Sequence, residues 1–229
     1  MRLICVVILP FLLAQSQTTF DVAADFSLDK NPNGPWQYGY SATPSLNPRE
    51  FRLSTQTETV GATGFWHPSE NKGPGPGYYP YIAYNKTKET QYGSRKGWAV
   101  RAGQVAMEAS NSGQYSLIRF IVPKLGAYRI TVRFEGIHFG LSSTDVHVLH
   151  NASPLFSAKI EGYGGDPSFH KAHGANPVAE YSGQIVLQEG DTITFACGYG
   201  ANKTHFSDTT GLQATVILLP VTGAGTIGP

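Results

Sequence analysis

The chain is poor in cysteine and in charge. Two of its 229 residues are cysteines and 14% are charged, against roughly 25% charged residues in ordinary domains. Cys5 lies in a segment that we expect to be removed, so Cys197 has no partner for a disulfide within the mature chain. Stability then has to come from the core, and a chain of this length can build a sizeable one.

A long hydrophobic run is also missing. The apolar run 3–13 is shorter than the ~20 residues that a helix needs to cross a bilayer. Small residues at Ala14 and Ser16 follow it, which is the pattern of a secretory signal peptide, residues 1–16. No hydrophobic anchor occurs in residues 220–229, which we expect to form a flexible tail. The sequence predicts a secreted, extracellular protein with one domain, residues 17–219, and no membrane contact after cleavage.

The predicted mature chain has no charge excess. Loss of Arg2 with the leader takes the 17 basic residues to 16, equal to the 16 acidic ones. A neutral chain gives no electrostatic reason to expect nucleic acid or an anionic membrane as partner. Binding has to come from shape, stacking and hydrogen bonds.

No convincing amphipathic helix is present, and short alternating runs take its place. In residues 192–197 apolar Ile193, Phe195 and Cys197 alternate with polar or small residues, which predicts a strand with one wet face. Runs 116–122 and 128–135 flank a Pro/Gly turn and predict a hairpin. Many such runs indicate an all-β fold, a two-sheet antiparallel sandwich of jelly-roll type.

Several motifs occur together, in order, along the whole mature chain. They resemble uncharacterised exported bacterial β-sandwich domains of the kind found in PEP-CTERM-type proteins and beside carbohydrate-active modules. The resemblance implies a carbohydrate-binding-module-like sandwich and carries no catalytic residues. This chain lacks the C-terminal membrane segment and basic tail of the sorting-signal proteins. The segments that carry the resemblance are residues 26–40, 119–128, 144–148, 190–195 and 208–212.

A ring-rich section, residues 60–97, looks irregular because it contains a Gly/Pro run. Flat C–H faces of sugars pack on aromatic rings, while sugar hydroxyls need polar partners. We expect the section to present rings to a ligand, although they could instead pack as a lid over the sandwich. Trp36 and Trp98 look like core residues. The candidate ligand-binding residues are Trp66, Tyr78, Tyr79 and Tyr81.

Metal ligands are only weakly indicated. His170 and His173 have the spacing of a metal pair, but the surrounding Pro and Gly exclude a useful helix, and surface loop histidines are the simpler interpretation. Asp191 and Asp208 follow turn patterns and are expected to cap them. Loop carboxylates could hold a structural calcium ion, although no run of alternating acidic ligands marks a site. We expect no other cofactor.

Three functions remain open at this point. The favoured one is a non-enzymatic protein that recognises extracellular glycan. A self-associating matrix or surface-layer protein is the alternative, and a polysaccharide hydrolase with a carboxyl pair is the least favoured. No nucleophile motif of the Gly-x-Ser-x-Gly kind occurs. Asn85, Asn151 and Asn202 begin sequons that only a host with the glycosylation machinery would modify.

Overall fold

The computed structural model describes residues 17–68 and 79–220 of the chain. Within these ranges the regular structure is strand, apart from two short 3-10 turns at Pro48–Glu50 and Ser94–Lys96. The strands are β1 (Thr18–Asp21), β2 (Trp36–Ser41), β3 (Phe51–Leu53), β4 (Gln56–Val60), β5 (Thr63–His67), β6 (Tyr81–Asn85), β7 (Gln91–Tyr92), β8 (Ala99–Val100), β9 (Val105–Glu108), β10 (Ser116–Ile121), β11 (Gly126–Gly136), β12 (Ser142–His150), β13 (Ser153–Tyr163), β14 (His173–Asn176), β15 (Val178–Leu187), β16 (Thr192–Cys197) and β17 (Thr210–Leu218).

The strands form two large antiparallel sheets. The first sheet has the order β15-β11-β17-β9-β6-β5-β4, with β1 also paired to β17, and the second has the order β14-β13-β12-β16-β10-β2-β3. β7 and β8 form a separate two-stranded ribbon. The predicted all-β, two-sheet antiparallel sandwich of jelly-roll type is confirmed.

The interior between the sheets is filled mainly by large side chains. Trp36, Tyr38, Phe120 and Phe195 of the second sheet are fully buried, as is Phe134 of the first. Burying an aliphatic or aromatic side chain of this size stabilises a fold by about 1.5–3 kcal/mol. The period-two pattern therefore buries one face of each sheet in a shared apolar core.

The first sheet also has a covered outer face. Trp66, Ile82 and Met107 belong to the core between the sheets, whereas the alternate positions Phe65 and Tyr81 belong to a second cluster. Because successive residues of a strand point to opposite faces, this second cluster lies on the outer face of the first sheet. Val100 and the half-buried Trp98 pack with it from the connection that follows β6.

Two local predictions are wrong. Residues 123–126 do turn the chain, but β10 belongs to the second sheet and β11 to the first, so the turn links the two layers and is not a hairpin. β16 has no wet face: Thr194 and Ala196 are both buried. This strand lies between β12 and β10 in the middle of its sheet. The predicted pair at residues 144–149 and 155–160 is confirmed as β12 and β13.

The section 60–97 is more regular than its composition predicts. β5 pairs with both β4 and β6, and β6 continues the sheet to β9. All five residues of β5 are buried, so this strand lacks the apolar–polar alternation that marks a half-buried strand. The neighbouring Gly/Pro run lies outside the described residues.

Some predictions fall where the structure gives no description. The signal peptide 1–16, Tyr78 and positions 221–229 of the predicted tail lie outside the described residues. In the described part of the chain, no helix is long and apolar enough to span a membrane.

Candidate binding pocket on the outer face

A pocket of about 260 Å³ opens on the outer face of the first sheet. Its position follows from strand register, because Tyr81 of β6 is the direct partner of Glu108 of β9. Aromatic rings make up most of its wall, and polar groups lie among them. The described lining residues are Phe65, Tyr79, Tyr81, Gly97, Trp98, Glu108, His138, Phe206, Ser207 and Thr209.

Glu108 is the buried carboxyl of this pocket, with 4% of its surface exposed. The Tyr81 hydroxyl donates to its Oε2 at 2.6 Å, and the Thr209 hydroxyl donates to the same oxygen at 2.6 Å. Oε1 accepts no hydrogen bond from any residue in the described ranges. The protein thus fixes Oε2 of the carboxyl through two hydroxyl donors.

The pKa of Glu108 is raised to about 7. Burial causes the rise, the hydrogen bonds from Thr209 and Tyr81 oppose it, and the charge of Asp208 adds to it. No lysine or arginine among the described residues lines the pocket, so no cation of the described lining compensates the carboxylate. Near neutral pH the group therefore exchanges between a donor form and a charged acceptor form.

Trp98 forms one wall of the pocket. Its backbone makes an isolated bridge with His138. A Cβ on Gly93 would lie 2.1 Å from the indole ring, so only a glycine there lets the ring pack. Trp98 was expected in the core, but it is half-buried on the outer face because the connection after β6 folds back over the sheet.

The opposite wall combines Tyr79 with the loop before β17. The rings of Tyr79 and Tyr81 lie 5.5 Å apart, and Tyr79 lies 4.5 Å from His205. His205 in turn contacts Phe206 at 4.5 Å. Burial lowers the pKa values of His205 and of the lining residue His138, so both rings are neutral at physiological pH.

The rim is the most exposed apolar surface near the pocket. Phe206 is 75% exposed, Phe139 is 49% exposed and Leu141 is 42% exposed. Gly140 lies against Ser207, which brings the loop of Phe139 and the loop of Phe206 together. Exposed aromatic residues grouped at a pocket mouth are typical of an interaction site.

The four predicted ligand-binding residues have different environments. Trp66 does not project outward: it is 7% exposed, its indole N–H donates to the Ser27 carbonyl at 2.7 Å, and its ring stacks on Tyr38. It faces the sandwich interior because its strand is part of the first sheet. Tyr81 is also buried, yet it lines the pocket, as the half-buried Tyr79 does.

The sequence analysis did not single out most of the pocket. Glu108 and Thr209 are 101 positions apart, and nothing in their local sequence pairs them. Phe206 lies in a short polar loop where its exposure leaves no periodic signal. The sequence signal that was available is the alternation through β9, which places Glu108 on the same face as Ala106.

The other candidate ligand groups have structural partners. His170 and His173 are close, with ring centroids 4.6 Å apart, but the described ranges contain no group of three His, Cys, Asp or Glu side chains that could hold a metal. Asp191 caps its turn, as predicted, by accepting from the Gln188 N–H at 2.9 Å. Asp208 instead accepts from the N–H of Ser143 at 2.7 Å. The structural calcium ion stays a prediction.

Cys197 and the first sequon are both buried. The Cys197 thiol is inaccessible, and burial raises its pKa. Asn85 is also fully buried, and its Nδ2 donates to the carbonyls of Glu89 and Val100. A glycan on Asn85 would break both hydrogen bonds, whereas Asn151 and Asn202 are exposed.

Comparisons with known proteins give only distant likenesses. No protein-family model and no curated protein matches the chain. A family 51 carbohydrate-binding module from Clostridium perfringens, solved with methyl-galactose, is 13% identical over 57% of this chain and 81% of its own, with a TM-score of 0.33. A family 35 module from Clostridium thermocellum is 10% identical over 89% and 98%, with a TM-score of 0.32.

A protein that is not a carbohydrate-binding module has a similar TM-score. Pika GITRL is 16% identical over 44% of this chain and 77% of its own, with a TM-score of 0.28. At these identities and scores the likenesses carry no argument about ligands. The chain's own fold and pocket define it as an all-β sandwich with an aromatic pocket on the outer face of its first sheet.

Proposed function

We propose that the protein binds an extracellular glycan in the outer-face pocket and does so without catalysis. The observation that carries the proposal is the meeting of aromatic rings with a buried carboxyl in one small cavity. Rings accept the C–H faces of a sugar, while Glu108, Thr209 and Ser207 offer hydrogen-bonding groups to its hydroxyls.

The pocket size favours a short ligand. Its volume of about 260 Å³ is below the ~300–1,000 Å³ of pockets that enclose drug-sized molecules. One sugar residue at a chain end fits this space better than a stretch of polymer. The exposed Phe206 would then contact the next residue of the glycan at the rim.

The proposal includes secretion of the protein. Residues 1–16 have the pattern of a signal peptide cleaved after Ser16, and the motif resemblance is to exported bacterial domains. An extracellular location would give the protein access to cell-surface and matrix glycans.

A glycan array followed by calorimetry on the best ligand tests this function. Phe206→Ala should weaken binding because it removes the exposed ring at the rim, and Tyr79→Ala should weaken it by removing part of the wall. Leu125→Ala is the matched control, since Leu125 is 60% exposed and does not line the pocket. An array without any binding, or equal affinity in all variants, would refute the proposal.

A glycoside hydrolase is less well supported. A carboxyl with a raised pKa in an aromatic pocket suits a general acid, but hydrolysis needs a second carboxyl about 5–10 Å away. The charge of Asp208 raises the pKa of Glu108, but Asp208 does not line the pocket and its Oδ2 is buried, with no hydrogen-bond partner among the described residues. Glu108 is therefore the one carboxyl among the described lining residues. An activity screen against plant and microbial glycans checks this.

Self-association is the second candidate, and the exposed rim favours it. Phe206, Phe139 and Leu141 would be covered if two copies met at this face. The buried Cys197 cannot link copies without unfolding. Light scattering decides: a concentration-dependent rise in mass that Phe206→Ala abolishes supports this function, and a monomer at high concentration removes it.

A further inference from the structure

The pocket combines several rings with a carboxylate that has no cationic partner among the described residues. The described lining of the pocket includes no lysine or arginine, and its aromatic residues are Phe65, Tyr79, Tyr81, Trp98 and Phe206. His138 is the basic side chain in this lining, and burial lowers its pKa, so it is uncharged. Above about pH 7 the ionised Glu108 is therefore the charged side chain of the described lining, and its charge is negative.

Ring faces and a carboxylate attract the same kind of group. The face of an aromatic ring carries partial negative charge and draws an ammonium within about 6 Å of its centroid. Oε1 of Glu108 accepts no hydrogen bond from the described residues and could accept a charged N–H, and hydrogen bonds to charged groups are about twice as strong as neutral ones. A neutral hydroxyl would satisfy the oxygen but would leave its charge uncompensated.

We infer that the glycan recognised by this pocket carries an alkylammonium group, as an amino sugar with an unacetylated amine does. This inference rests on the proposed function and names its ligand class. The ammonium would lie among the rings and donate to Oε1 of Glu108, while the sugar ring extends toward Phe206.

The groups that face Glu108 give binding a defined pH dependence. Tyr81 of β6 and Thr209, just before β17, donate hydrogen bonds to Glu108. Asp208 acts on it through its charge. Tyr79 and His138 line the same pocket. His138 is the basic side chain among these groups, and no described lysine or arginine lines the pocket. Burial raises the pKa of Glu108 to about 7, so the charged form is lost as the pH falls below neutrality. A permanent cation should then bind more weakly at low pH.

Calorimetry with tetramethylammonium, glucosamine and glucose tests the inference. At about pH 8 we expect Glu108→Gln to lower the affinity for the permanent cation tetramethylammonium roughly tenfold or more, since it removes the charge and keeps the shape. Glu189→Gln is the matched control, because it removes an exposed carboxylate that does not line the pocket. Glucose should bind more weakly than glucosamine and should be little affected by Glu108→Gln.

A pH series on the wild-type chain makes the test independent of whether the variant folds. Tetramethylammonium cannot lose its charge, so a roughly tenfold or greater loss of affinity between about pH 8 and about pH 5 reports the protonation of Glu108 together with its neighbour Asp208, because burial raises both pKa values to about 7. Glucose binding as tightly as glucosamine, with no pH effect, would overturn the inference and leave glycan binding intact. Tetramethylammonium binding without any sugar binding would instead refute the proposed function. If nothing binds, both fail.

Discussion

The two faces of the first sheet are built from the same strands and differ in chemistry. The inner face carries Trp66, Ile82 and Met107 in an apolar core. The outer face carries Phe65 and Tyr81 together with polar groups, and it is covered by connections that include the small β7-β8 ribbon and not by the second large sheet. The two packed sheets leave no room for a ligand between them. The loops that cover the outer face leave a pocket.

The outer face itself holds two buried glutamates with opposite surroundings. Glu135 is fully buried and accepts hydrogen bonds from Arg101, Arg133 and Gln104. Among the residues that the structure describes, Glu108 accepts hydrogen bonds only from the hydroxyls of Tyr81 and Thr209. A buried carboxylate with two guanidinium partners is a structural ion pair. A buried carboxylate without a cation is costly to the fold, which is why we assign Glu108 to binding.

Trp66→Ala should have the largest effect on stability. It removes a ring from the inner face and leaves a cavity, for which losses of about 3–5 kcal/mol are usual. Chemical denaturation measures it, and Trp66→Phe is the milder control. A loss below about 1 kcal/mol would mean that Trp66 is not part of a close-packed core.

Glu135→Gln should destabilise the fold by roughly 2–4 kcal/mol, because two guanidinium groups lose their counter-charge. Both arginines are about one-third exposed, at 31% and 33% of the side chain, so water offsets part of the loss. Denaturation at neutral pH measures the change. Equal stability of variant and wild type would show that Glu135 is not needed as a counter-ion.

Glu108→Gln should raise the stability of the fold at high pH, whereas Glu135→Gln lowers it. The folded-state pKa of about 7 lies above the ordinary value of 4.5, so the contribution of this group to stability is complete at low pH and is lost as the pH rises through 7. Such a shift corresponds to at most roughly 3 kcal/mol. We expect the variant to be more stable than wild type by about 1–2 kcal/mol at about pH 8, and no more stable at about pH 4. Thermal melts across this range measure the difference, and a variant that loses stability at high pH would contradict the assignment.

Phe206→Ala should have the smallest effect on folding. The ring is 75% exposed, and surface substitutions of this kind usually change stability by less than about 0.5 kcal/mol. The same denaturation experiment checks it beside Trp66→Ala. A loss above about 2 kcal/mol would show that the rim is part of the core and not a contact surface.

The sheets were predictable from sequence, and the pocket largely was not. Alternation is a local property of the backbone, so the strands around Phe134 and Phe195 could be recognised from short segments. Which sheet a strand joins depends on distant partners, and that is why residues 123–126 were taken for a hairpin. The pocket unites Tyr79, Glu108 and Phe206 from three separate connections or strands, and no local pattern links them.

A crystal structure with glucosamine bound tests the central claim most directly. The account predicts the sugar in the outer-face pocket, with its amine within hydrogen-bonding distance of Oε1 of Glu108 and its ring against Tyr79 or Phe206. A sugar bound on the second sheet, or a pocket that stays empty while glucosamine binds elsewhere, would contradict it.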